Sequence, residues 1–164
     1  MTEMRWISNS EAETVRFGEE FGKQYISSGV VVCVHGELGA GKTHFIKGIA
    51  GSLGIDEREL TSPTFALANE FEMEGQAGNG QAGSTDLRQL YHLDCYRFEK
   101  PEELLELGVE DYLYPQHAAT IIEWPERIAR LIPENAIHVI IDVISETERA
   151  IEVRSHRRNT GGKI

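Results

Sequence analysis

Basic residues are scarce in this sequence: 16 Lys and Arg stand against 27 Asp and Glu, a formal charge of −11 at pH 7 over 164 residues. That deficit opposes a broad electrostatic grip on nucleic acid, which needs basic surface to displace phosphate counterions, so any tie to RNA is expected to be indirect. Cysteine is scarcer still. Cys33 and Cys95 are the only two; both fall in predicted strands, and reduced thiols in a reducing compartment are expected. Cys33 and His35 with His92 and Cys95 make a conceivable metal set, but strand alternation accounts for all four. Long apolar runs are missing: none approaches the roughly 20 residues of a membrane-spanning helix. The opening MTEMRWISNS has no charged-then-apolar export signal, and a cytoplasmic location with no membrane contact is expected. The GTPase stretches N-K-x-D and D-x-x-G are absent, as is the arginine-rich lid of small kinases.

What is present centres on VVVCVHGELGAGKTHF, residues 30–45. Strand formers break into Gly36, Gly39 and Gly41, followed by Lys42 and Thr43, which fit the phosphate-loop pattern G-x-x-x-x-G-K-[ST] after an apolar strand. Glycines let the backbone turn its N–H groups inward and approach phosphate oxygens without a Cβ in the way. Lys42 is then placed to reach the β- and γ-phosphates and Thr43 to offer its hydroxyl to Mg²⁺. The helix that starts there, patterned by Phe45, Ile46, Ile49 and Leu53, points its positive dipole end at the anion.

The rest of the chain alternates strands and helices. Met4–Ile7 reads as a short strand, and Ser10 with Glu13 as a capping box opening an amphipathic helix through Phe17, Phe21 and Tyr25. Residues 64–72 and Leu90–Arg97 read as extended. Between them MEGQAGNGQAGSTD has little to bury, which predicts a flexible Gly-rich surface loop at 75–85 inside one domain. PEELLELGVEDYL gives one or two short helices with Pro101 in the first turn. Ala119–Glu123 is a buried strand. A short helix with Ile128 and Leu131 follows, then Ile137–Ile144 and Arg149–Val153 as a hairpin around SETE. Residues 1–154 are expected to form a single domain, and residues 155–164 a basic, solvated tail. The predicted class is α/β: a phosphate-loop NTPase-like three-layer fold, its central sheet mostly parallel, with antiparallel strands added at the edge.

Two acids end predicted strands, where such sheets present ligand-facing groups. Asp94 in LYHLDCYR and Glu123 in ATIIEWPE each suit holding Mg²⁺ through water or orienting an attacking water; a strand-end cap and a helix-entry acid are their structural alternatives. Thr61, Ser62 and Thr64 around Pro63 form a hydroxyl-rich segment, which reads equally as a γ-phosphate-sensing loop or an ordinary turn.

GELGAGKT, SPTF, YHLDCYR, PEELLELGVEDYL and IIEWPE, in this order and spacing from about Trp6 to about Val153, closely resemble TsaE. That family is the small ATPase of bacterial tRNA threonylcarbamoyladenosine synthesis. The resemblance implies a protein that binds ATP and Mg²⁺ and works with the TsaB and TsaD proteins, its hydrolysis resetting their complex between turnovers. Carried over by position, Gly39, Ala40, Gly41, Lys42 and Thr43 cradle the phosphates, with Thr43 and Glu123 at Mg²⁺. Asp94 serves the metal's water shell or the hydrolytic water, and Thr64 matches the switch-like segment. Trp124 lies close to the nucleotide, and Glu11 lies where the family approaches adenine. His44 replaces the hydroxyl residue that commonly follows the metal-binding Thr, leaving α-phosphate contacts to backbone N–H. The insertion at 75–85 lengthens a loop the family keeps short. A small-molecule kinase, with Asp94 as base and Arg97 as clamp, and a nucleotide-gated binding module with negligible hydrolysis are the competing readings.

Overall fold

A computed structural model describes residues 2–60, 67–73 and 86–155. The predicted Gly-rich loop, Thr61, Ser62 and Thr64, and residues 156–164 of the predicted tail lie outside these described residues. Ser155, assigned to that tail by sequence, is instead the buried last residue of a strand.

Strand β1 (Thr2–Ser8) leads into α1 (Glu11–Tyr25), and β2 (Val31–His35) into α2 (Lys42–Ser52). A 3₁₀ turn (Glu57–Glu59) precedes β3 (Ala68–Glu72) and β4 (Gln89–Asp94). Helices α3 (Pro101–Glu106) and α4 (Glu110–Leu113) lead to β5 (Ala118–Glu123). A 3₁₀ helix (Pro125–Leu131) then precedes β6 (Ile137–Val143) and β7 (Arg149–Ser155).

The seven strands form one sheet in the order β1-β7-β6-β2-β5-β4-β3. The four central strands β6, β2, β5 and β4 are parallel, and antiparallel pairs finish both edges. β2 is buried on both faces, as its unbroken VVCV run requires. Val32 and Val34 point to a core with Phe21 of α1 and Phe45 and Ile49 of α2. Val31 and Cys33 point to a second core with Leu104, Leu113 and Ile128. The sheet is therefore the middle of three layers, as expected from sequence.

Two local readings are corrected. β4 stops at Asp94 rather than Arg97, because Asp94 Oδ1 accepts the Tyr96 N–H at 3.0 Å and turns the chain out of the sheet. The box at α1 is half made. Ser10 Oγ caps the Glu13 N–H at 3.1 Å, but the Glu13 carboxylate reaches one residue further back, to the Asn9 N–H at 2.7 Å.

Candidate functional site

β2 is the central strand, and the chain leaves its C-terminal end through the glycine loop. Gly36 takes φ +154° and packs so closely on β6 that a Cβ there would lie 2.8 Å from the Ile141 carbonyl oxygen. Gly41, with φ +105°, is the N-cap of α2, a conformation a side-chain-bearing residue adopts only under strain. Lys42 follows as the first helical residue. Its side chain runs back under the loop, where Nζ donates to the carbonyl oxygens of Gly36 at 2.5 Å and Glu37 at 3.0 Å. The ammonium also lies 4.1 Å from the centroid of the Trp124 ring, a cation–π contact. Lys42 is 6% exposed. Burial pushes its pKa down, and the negative charges of Glu123, Glu126 and Asp94 push it back up.

Glu123 and Asp94 are held by strand register, and Glu126 stands in the 3₁₀ helix that follows β5. β4 and β5 run parallel with Asp94 opposite Glu123, and Glu123 stands opposite Val34 of β2, immediately beside the loop. Asp94 uses one oxygen to cap its own turn. Glu123 is buried, and its Oε1 lies 2.8 Å from Nε2 of the buried His92. Trp124 turns away from the strand at φ +55°, and this left-handed step brings its indole over Lys42 and against Tyr96, ring centroids 4.9 Å apart.

A cleft of about 850 Å³ opens over the loop. Its floor is Gly39, Gly41, Lys42 and Thr43; one side carries Asp94, Tyr96, Glu123 and Trp124. The start of α1 forms a second wall with Ser10, Glu11 and Thr14, and the β6–β7 hairpin a third with Glu146, Thr147 and Arg149. His44 lines the same space and pairs with Glu11 at 3.5 Å. The cleft thus gathers Glu11, Gly39, Gly41, Lys42, Thr43, His44, Asp94, Glu123 and Trp124 of the residues singled out by sequence. Ala40 is buried beneath the loop, and Thr64 lies outside the described residues.

Sequence reasoning missed Arg149. Its Nε donates to the Ala40 carbonyl at 3.0 Å, and Nη1 donates to the carbonyls of Ser145 and Glu148 at 2.9 and 3.0 Å. The hairpin is thereby fastened to the phosphate loop across more than 100 residues of chain. A lone arginine after SETE looks like surface charge, and nothing local signals that it spans to Ala40. By sequence His92 reads as a strand residue and as one member of a conceivable metal set with Cys33, His35 and Cys95, and no such cluster forms among the described residues. Its pairing with Glu123 depends on how β4 and β5 align.

A glycine loop leaving the central parallel strand, with carboxylates at the C-terminal ends of the strands beside it, defines a phosphate-loop α/β protein. The comparisons narrow that class. A family model described as "Threonylcarbamoyl adenosine biosynthesis protein TsaE" matches residues 8–151. The tRNA threonylcarbamoyladenosine biosynthesis protein TsaE of Treponema pallidum is 36% identical over 150 residues, 92% of this chain and 99% of that protein. The Bacillus subtilis protein of the same name is 30% identical over 151 residues, 92% and 85% of the two chains. The crystal structure of Bacillus subtilis YdiB superposes with a TM-score of 0.68 at 27% identity, covering 94% of this chain and 86% of that one. The chain belongs to the TsaE family of tRNA threonylcarbamoyladenosine biosynthesis proteins. Among the described residues no helix is long and apolar enough to cross a membrane.

Proposed function

We propose that the chain binds ATP with Mg²⁺ in this cleft and hydrolyses it, and that hydrolysis drives turnover of a complex with TsaB and TsaD, which meets tRNA only indirectly. One observation carries the reading: a nearly buried lysine ammonium at the floor of a glycine-loop cleft, with Asp94 and Glu123 side by side on neighbouring strand ends. A buried cation among acids is suited to a polyanion accompanied by a divalent metal.

The donor set fits Mg²⁺. Thr43 is exposed in the first turn of α2, and among the described residues Glu123 engages only Oε1, with His92, so hydroxyl and carboxylate oxygens, hard donors, face the same cleft. When bound, the metal neutralises charge on the β- and γ-phosphates and lowers the barrier to water attack. Lys42 exchanges the carbonyls of Gly36 and Glu37 for phosphate oxygens. Backbone N–H groups of Gly39 and of Gly41 to Thr43, where α2 begins, direct positive charge at the same anion, while the Ala40 N–H closes the loop on the Glu37 carbonyl at 3.0 Å. Asp94 orients the water and takes its proton as the new oxygen–phosphorus bond forms and the bond to the β,γ-bridging oxygen breaks. Glu11, His44 and Trp124 border the space left for the nucleoside.

The test is ATPase rate with and without purified TsaB and TsaD, combined with two variants. Glu123→Ala is expected to weaken Mg²⁺-dependent ATP binding and assembly with the partners. Asp94→Asn should keep ATP and partners but lose about 10² to 10⁴ in turnover, supporting little more than one round of tRNA modification. The turn cap on the Tyr96 N–H favours one second reading, in which Asp94 is structural and the chain a nucleotide-gated binding module. Multiple rounds at the unmodified rate by Asp94→Asn would mean that Asp94 is structural or that hydrolysis is not the reset step, and would put the binding module ahead of the ATPase.

A further inference from the structure

His92 has no role in the scheme above, yet it is an unusual core residue. It lies on the face of β4 that also carries Leu90 and Asp94, 5% exposed, with Asn69 opposite on β3 and Ile121 opposite on β5. Nε2 is 2.8 Å from Glu123 Oε1, while Nδ1 is buried with no hydrogen-bond partner among the described residues. Buried polar atoms are nearly always partnered, and an apolar side chain of similar size would fill this position without leaving one orphaned. What the imidazole adds is a single N–H aimed at the carboxylate.

In the neutral imidazole the orphaned nitrogen also selects the tautomer. A proton on Nδ1 would bury an unmatched donor and set the Nε2 lone pair against a carboxylate oxygen 2.8 Å away. A proton on Nε2 gives one good bond to a charged acceptor and leaves only a weakly demanding lone pair behind. We propose that His92 is a positioning residue for Glu123: its Nε2–H holds Oε1 and so presents Oε2 to the cleft, in the orientation a Mg²⁺ ion or its bound water requires. The inference rests on the cleft being a Mg²⁺–ATP site. A group that holds a metal-directed carboxylate typically matters to metal affinity by about 10- to 100-fold.

Two variants of the full-length chain test it, His92→Phe, which fills the space without a donor, and His92→Gln, whose amide N–H reaches towards the same oxygen. ATP binding is measured by calorimetry across a Mg²⁺ titration and again in EDTA. His92→Phe is expected to raise the half-saturating Mg²⁺ concentration about 10- to 100-fold, leave metal-free binding unchanged, and be largely rescued by His92→Gln. Wild-type Mg²⁺ dependence in His92→Phe, or a His92→Gln variant as impaired as His92→Phe, overturns the inference alone. Wild-type ATP binding that ignores Mg²⁺ overturns the metal reading of the cleft and this inference with it. Should His92→Phe fail to fold, ¹⁵N NMR of the wild-type ring decides: the Nε2–H tautomer is expected, and an Nδ1–H tautomer overturns the proposal.

Discussion

Lys42 makes all of its described contacts inside the protein: two loop carbonyls and the face of one indole. Removing it takes away the cation nearest the position proposed for the phosphates while leaving the loop's glycine conformations intact. Lys42→Ala should therefore lower ATP affinity by about one to two decades, the equivalent of roughly 1.5 to 3 kcal/mol for a charge-assisted contact, as titration calorimetry would show. Unchanged affinity would refute the phosphate-loop assignment. The same contact makes Trp124 a reporter. Any ligand that draws the ammonium off the ring changes the indole's surroundings, whereas Trp6 is stacked on Phe17 at 5.2 Å and does not line the cleft. Tryptophan fluorescence should change on adding ATP or ADP with Mg²⁺. That change should vanish in Trp124→Phe, and its survival would assign the signal to Trp6. These residues were legible because the loop and the acid-ended strands are local patterns. Arg149 and the His92–Glu123 pair were not, because each joins distant segments whose meeting is set by sheet register.

Between elements, α1 and α2 cross closely, and the crossing depends on glycines. A Cβ at Gly48 would fall 2.0 Å from the Val15 carbonyl oxygen, and one at Gly18 would fall 2.1 Å from that of Phe45. Phe21 and Phe45 meet beside this crossing with ring centroids 5.3 Å apart. In an isolated helix Gly→Ala gains about 1 kcal/mol of propensity. Here it drives a methyl group into backbone, and overpacking of this kind costs about 1 to 3 kcal/mol or more where the backbone must separate. Gly48→Ala should consequently lower the urea midpoint at unchanged slope, and a raised midpoint would show that the two helices move apart freely. Because both helices begin at the cleft, a shift at this crossing should weaken ATP binding as well. The amphipathic character of α1 and the apolar face of α2 were readable from spacing. Their glycine contact was not, since glycine in a helix announces neither a partner nor a distance. The strand order was also beyond local reading: alternation identifies β2 as buried, but only the assembled sheet puts β5 and β6 on its two sides.

The whole molecule carries both of its thiols inside. Burial pushes Cys33 and Cys95 up to about 12, with Cys95 and Glu126 adding to the effect at Cys33, and Asp94, Glu123 and Glu126 at Cys95. The sign follows directly. The unfolded chain ionises its cysteines near their ordinary value while the folded protein keeps them protonated, so this contribution to stability is complete below about pH 9 and is lost as the pH rises towards 12. Denaturant midpoints should fall over that window, and a Cys33→Ala, Cys95→Ala protein should show a shallower fall. Alkylation of the native protein at pH 8 should proceed only as fast as it unfolds. A further property comes from how the sheet is closed. Thr2 pairs with Ser155, the first described residue beside the last, and the register runs on to Ser8 against Arg149. A force applied at these two points loads the antiparallel β1–β7 pair from one end, so its backbone hydrogen bonds open in succession, as in a zipper, rather than sharing the load as in shear. Pulled by its extremities, the protein should yield first and at low force at this seam. The extension gained should match the release of β1, while the parallel strands that bear the cleft are still in place.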